Sequence, residues 1–172
     1  MFGLFKRKKT PKPLEAESTQ NNFRSAPGTT IQYSPELVDS LLEDHKNILA
    51  LYGDIKTAFE EKRYNDVSSM LNTFKSGLTA HLLTENVRLY IYLERSFESD
   101  TSSRELIHGF RHEMDGIAKV ALSFLKKYET IGVDEDLSAH FGKDFETIGK
   151  VLVERIQKEE GVLYPLYMPA YS

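Results

Sequence analysis

The chain has no cysteine, which excludes disulfides, zinc fingers, iron–sulfur clusters and thiol nucleophiles. Any metal ion falls to His, Asp and Glu. Long apolar runs are missing as well, and none approaches the roughly 18 residues a membrane span needs. There is no glycine-rich phosphate loop, because Gly109, Gly116, Gly132 and Gly142 are scattered. No spacing brings a serine, a histidine and an acid together as a triad. These gaps weigh against an enzyme without excluding one.

Positive charge is scarce outside one short segment. Residues 1–13, MFGLFKRKKTPKP, hold five Lys/Arg and no acid, while the whole chain carries a formal −4. Residues 14–172 are therefore at −9, which argues against a nucleic-acid partner. The N-terminal order, a very short apolar start followed by charge, is the reverse of a secretory signal. Together with the lack of cysteine it suggests the cytoplasm. Residues 1–9 suit at most a weak membrane-surface contact, with Phe2, Leu4 and Phe5 inserted and Lys6–Lys9 on anionic lipid. Residues 10–32 are rich in Pro, Ser, Thr, Asn and Gln, so residues 1–32 read as a disordered basic and polar tail. Residues 33–170 read as the folded domain.

What is present is helical periodicity in a chain of 172 residues, 40% hydrophobic and 28% charged. Ser34, Pro35 and Glu36 suit a helix start. Leu37, Leu41, Ile48, Tyr52, Ile55 and Phe59 follow on one face, with His45 on its centre line. Asn65 can cap a second helix, with the stripe Val67, Met70, Phe74, Leu78, His81, Glu85, Leu89, Tyr92. Ser102 and Glu105 form a capping-box pattern for a third. Its stripe is Leu106, Phe110, Glu113, Ile117, Val120, Phe124, Tyr128, and Gly132 supplies a stop. Asp134 can cap a fourth, with Phe141, Phe145, Ile148, Leu152, Arg155, Glu159, Val162, Leu166. Short connections make neighbours antiparallel, so the expected fold is all-α, an up-down-up-down four-helix bundle.

The second and fourth helices share a repeat. HLLTENVRLYIYL (81–93) aligned on RIQKEEGVLYPLY (155–167) puts Glu85 on Glu159, Leu89 on Leu163 and Tyr90 on Tyr164. This predicts pseudo-twofold halves. It also sets His81 opposite Arg155. Each helix breaks its apolar stripe near mid-length, so His45, His81, Glu85, Glu113, Arg155 and Glu159 are expected in one layer. Burying them unpaired costs several kcal/mol each. A metal is one way to pair them.

The pattern resembles the hemerythrin-like, or HHE cation-binding, domain over roughly residues 34–168. EDHKNI supplies His45, HLLTE supplies His81 and Glu85, and RIQKEEGVLYP supplies Glu159, Glu160, Leu163, Tyr164 and Pro165. The resemblance implies a di-iron cage. The sequence departs from it at Arg155, which stands where the family has histidine and has no lone pair to offer. On the third helix, IHGFRHEMDGI, helical phase favours Glu113 inward and turns His112 about 100° away. His108 and His112 form an i, i+4 pair and remain the alternative ligands.

Glu85, Glu113, Glu159 and Arg155 sum to −2, which one divalent ion neutralises. One arrangement therefore has Arg155 in place of a second cation and one iron on His45, His81 and Glu85, with or without Glu159. A second keeps two irons with His108 and His112. A third has no metal and a buried ionic network. The corresponding functions are a metal or small-gas sensor that reports to a protein partner, an oxygen- or nitric-oxide-handling redox protein, and a metal-free interaction module. Glu160 is expected beside the stripe, as a supporting or surface carboxylate. Tyr90, Tyr92, Tyr164 and Tyr167 are expected to pack near the bundle end, and His140 to face solvent.

Overall fold

The computed structural model describes residues 25–169. Most of the expected tail, including the membrane-surface contact at residues 1–9, lies outside them. Five α-helices make the four rods of the bundle: α1 (Leu37–Glu60), α2 (Tyr64–Thr84), α3 (Ile91–Ser96), α4 (Thr101–Tyr128) and α5 (Ser138–Lys158). The second rod is α2 and α3 joined through a π turn at Glu85–Tyr90. The fourth is α5 continued by a π turn at Glu159–Leu163 and a 3-10 turn at Tyr164–Leu166. Contacts run α1–α2, α2–α4, α4–α5 and α5–α1, which closes the up-down-up-down ring. Among the described residues the extended structure is a single antiparallel bridge, Ser25 to Gln32. No helix among them is long and apolar enough to cross a membrane.

Helix ends follow local chemistry, in places other than those expected. Leu37 N–H donates to the Ser34 carbonyl at 3.1 Å, and the Ser34 amide itself is held by the Tyr167 hydroxyl at 2.9 Å. Ser34 therefore anchors α1 through its backbone and not through its side chain. Asn65 lies inside α2, whose start has no side-chain cap. The turn before it closes with Arg63 N–H on Ala58 O, and Lys62 takes a left-handed φ of 58°. Asp100, not Ser102, caps α4, accepting from the Ser103 amide and hydroxyl. Asp134 accepts from the Asp136 amide and opens a short 3-10 turn before α5. Gly132 lies beyond the end of α4 at Tyr128. It is needed for close approach, since a Cβ there would lie 2.6 Å from Asn65 Oδ1.

The core comes in two parts. One holds Ile48, Ile55, Leu78, Phe124, Phe141 and Leu152. The other holds Leu37, Leu41, Leu89, Phe110, Leu163 and Tyr167, and includes Ala26. Residues 25–32, which composition reads as tail, thus close a turn against that end of the bundle. Every rod passes from one part to the other through the same level, at His45, at His81 and Glu85, at Met114, and at Arg155 and Glu159.

Candidate metal centre

The π turns explain how each repeat presents two groups to this level. In an α-helix, five residues advance by about 500°, which leaves position i+5 about 140° round from i. A π turn closes i on i+5. Tyr90 therefore returns to the side of Glu85, and Tyr164 to the side of Glu159. The expected stripe continued through Val162 and Leu166. The π turn shifts it, so that Leu163, Tyr164 and Tyr167 are buried and Val162 is 45% exposed.

His45, His81, Glu85 and Glu159 are buried, and one ligand atom from each lies within 4.8 Å of the other three. His45 Nε2 is 3.2 Å from His81 Nε2 and 3.1 Å from Glu159 Oε2. His81 Nε2 is 3.5 Å from Glu85 Oε1. The outer nitrogens are both committed: His45 Nδ1 is 2.9 Å from Glu160 Oε1, and His81 Nδ1 is 3.1 Å from Asp44 Oδ2. In a neutral ring, a carboxylate at Nδ1 holds the one proton there and leaves the Nε2 lone pair facing inward. Two such lone pairs 3.2 Å apart repel unless a cation or a proton stands between them. Glu85 Oε2 is buried and has no hydrogen-bond partner among the described residues. Inward imidazole nitrogens, an unpartnered buried carboxylate oxygen and two outer carboxylates fit a divalent metal of intermediate softness.

Arg155 fills the other half of the level. Its Nε donates to Glu159 Oε1 at 2.6 Å and one terminal nitrogen donates to Tyr90 Oη at 2.7 Å. Its guanidinium lies 4.8 Å from the Phe110 ring centroid. Glu159 thus gives one oxygen to Arg155 and the other to His45. Tyr164 Oη donates to Glu85 Oε1 at 2.8 Å and is 3.1 Å from His45 Nε2.

With no metal cation at this level, the carboxylates favour a proton on the His81 ring in its place. Burial pushes the His81 pKa down, but Glu85, Asp44 and Glu159 outweigh it and hold it above the ordinary value. Burial pushes Glu159 up, and the hydrogen bond from His45 together with Arg155 brings it below the usual range. Burial, then Glu85 and Glu159, drive the Tyr164 phenol far up. Burial raises Tyr90 against the pull of Arg155.

The third helix departs from expectation. Met114 is the inward residue, with Ile107 and Phe110 before it and Ala121 after it. Glu113 is not in the cluster. Its side chain is 45% exposed, pairs with Lys158 at 3.0 Å, and reaches Arg155 from the rim at 3.6 Å. With Glu113 outside, the fixed charge of the buried level is −1, from Glu85, Glu159 and Arg155, and not −2. His108 and His112 are exposed and do not turn inward. His140 is exposed as expected. Tyr90 and Tyr164 do more than pack, since their hydroxyls belong to the polar level, while Tyr92 and Tyr167 lie in the core beyond it. Asp44 was missed, although it directly precedes His45 in the sequence.

A cavity of about 20 Å³ adjoins the cluster, bounded by Ile48, Leu78, Met114 and Leu152 on its apolar side and by His45, His81, Arg155 and Glu159 on the other. That is room for one water-sized or diatomic molecule.

The sequence model of a family described as Hemerythrin HHE cation binding domain matches residues 36–167. A search of the curated proteins and a search of the solved structures each found no match.

Proposed function

The chain belongs to the hemerythrin HHE cation-binding domain family, and we propose that it is an iron-dependent sensor or regulatory protein with one ion on His45, His81, Glu85 and Glu159. The observation that carries this reading is the pair of imidazole Nε2 atoms 3.2 Å apart, each with its Nδ1 already on a carboxylate. Bound there, iron supplies a Lewis-acidic, redox-active centre able to take a small ligand. Asp44 and Glu160 orient the rings. Ile48, Leu78, Met114 and Leu152 keep bulk water away. Arg155 holds Glu159 and stands in place of a second cation.

Two features favour a single ion. The third helix turns Met114, and no imidazole, toward the level. A second cation beside Arg155 would also meet its positive charge at close range. The 20 Å³ cavity favours a small gas over a larger substrate. Sensing, with a protein partner and a cytoplasmic setting, is the corresponding role.

A metal-free interaction module is the second reading. It is favoured by Arg155, which is already paired with Glu159 and Tyr90. Iron content per chain, by elemental mass spectrometry after anaerobic loading with Fe(II), separates them. One iron is expected. None in a folded helical protein selects the module, and two revives the di-iron redox protein. A spectral change with nitric oxide but no turnover marks a sensor.

A further inference from the structure

The repeat gives each glutamate a tyrosine five residues on, and each phenol crosses to the other copy's half of the level. In the second half the outcome is visible, because the cation there is a side chain. Arg155 is held by Glu159 at 2.6 Å, from its own copy, and by Tyr90 Oη at 2.7 Å, from the other copy. The equivalent oxygens in the first half belong to Glu85 and Tyr164. Tyr164 Oη is 2.8 Å from Glu85 Oε1 and 3.1 Å from His45 Nε2, so it stands among the same atoms that converge on one another.

We infer that Tyr164 is a further ligand of the ion, through its phenolic oxygen. This rests on the metal-site reading above. The ring has little freedom to do otherwise. It is 3% exposed, stacks on His45 at 5.5 Å and 15°, and is aimed by the π turn that precedes it. On ligation the Tyr164 O–H bond is replaced by an oxygen–metal bond and the proton leaves to solvent. Glu85 Oε1, which accepted that hydrogen, is freed to face the ion. No oxidation state changes. A phenolate is a hard, anionic donor, so the site would prefer ferric iron to softer ions. Tyr90 is not a ligand, since its oxygen is taken by Arg155.

The test is to load the full chain with iron(III) nitrilotriacetate, desalt it, and record iron content, visible absorption and resonance Raman spectra. The expected result is a visible charge-transfer band with phenolate ring modes that shift when the tyrosines are ring-deuterated. Tyr164→Phe loses the band completely and keeps its iron, whereas Tyr90→Phe keeps both. Iron bound without phenolate modes in the wild type, or a band that survives Tyr164→Phe, overturns the inference and leaves the metal site standing. No bound iron at all overturns the metal site and the inference together. If Tyr164→Phe does not fold, the deuterium shift in the wild type and the band of Tyr90→Phe decide. Among the described residues, Tyr90 and Tyr164 are the two phenols hydrogen-bonded to this cluster.

Discussion

Arg155 and Glu159 sit one helical turn apart, joined Nε to Oε1 at 2.6 Å, and each is 2% exposed. A charge pair so deeply buried is strongly destabilising to break by halves, because the survivor keeps its desolvation cost. Arg155→Met should therefore lower the stability of the metal-free protein by about 3–5 kcal/mol, read by urea denaturation in the presence of chelator. Arg155→His offers a lone pair in the same place, and its iron content should rise from one towards two. Unfolding without any gain of iron would reduce Arg155 to a counter-ion for Glu159.

Glu85→Ala removes a carboxylate of the proposed ligand set, whose second oxygen has no hydrogen-bond partner among the described residues. The variant should stay helical and lose its iron. Full iron content after this change would sink the proposed ligand set, and elemental analysis beside circular dichroism is sufficient to tell.

Asp44→Asn and Glu160→Gln leave the ligands in place and loosen their aim. Each should weaken metal affinity by about 10–100-fold, measured by competition with a chelator of known affinity. Unchanged affinity in both would show that the rings are held by packing alone.

Gly149 lies in α5 where a Cβ would overlap both the Tyr52 hydroxyl and the ring carbons behind it. That hydroxyl donates to Phe145 O at 2.9 Å, and the Tyr52 ring stacks on Phe145 at 4.1 Å. Gly149→Ala should cost about 1–3 kcal/mol from overpacking, although alanine is by itself the better helix former. In a Tyr52→Ala background, where the ring is gone, Gly149→Ala should cost less than in the wild type in the same denaturation assay.

Asp144 accepts from the Tyr128 hydroxyl and from Lys127, which hold its pKa below 3.8. A depressed carboxyl contributes stability above its unfolded value and loses it as pH falls through the folded one. The gap in stability between wild type and Asp144→Asn should thus be present at neutral pH. It should shrink as pH drops below 3.8. The effect is modest because the group is largely exposed.

The repeat made the second and fourth rods legible, and His45, His81, Glu85, Arg155 and Glu159 are buried where their stripes put them. The third rod was misphased because Leu106 and Ile107, like Val120 and Ala121, are adjacent apolar pairs. Spacing of 3 and 4 can be drawn through either member, and the structure chose Ile107, Met114 and Ala121. The π turns were hidden for a related reason: periodicity assumes a constant turn. A local signal was available, since a leucine and a tyrosine stand side by side after each glutamate. Asp44 could not be found from stripes, because it lies off the centre line and acts through His81 on another rod.

Asp44 and Glu160 have one further consequence. Their side chains are 40% exposed, yet each touches the outer nitrogen of a buried imidazole. When an inner nitrogen takes a cation, the N–H on the far side of the ring becomes more acidic and binds its carboxylate more tightly. The occupancy of the interior is thereby written onto two surface acids, each one ring away, and a partner could read it without the bundle ever opening.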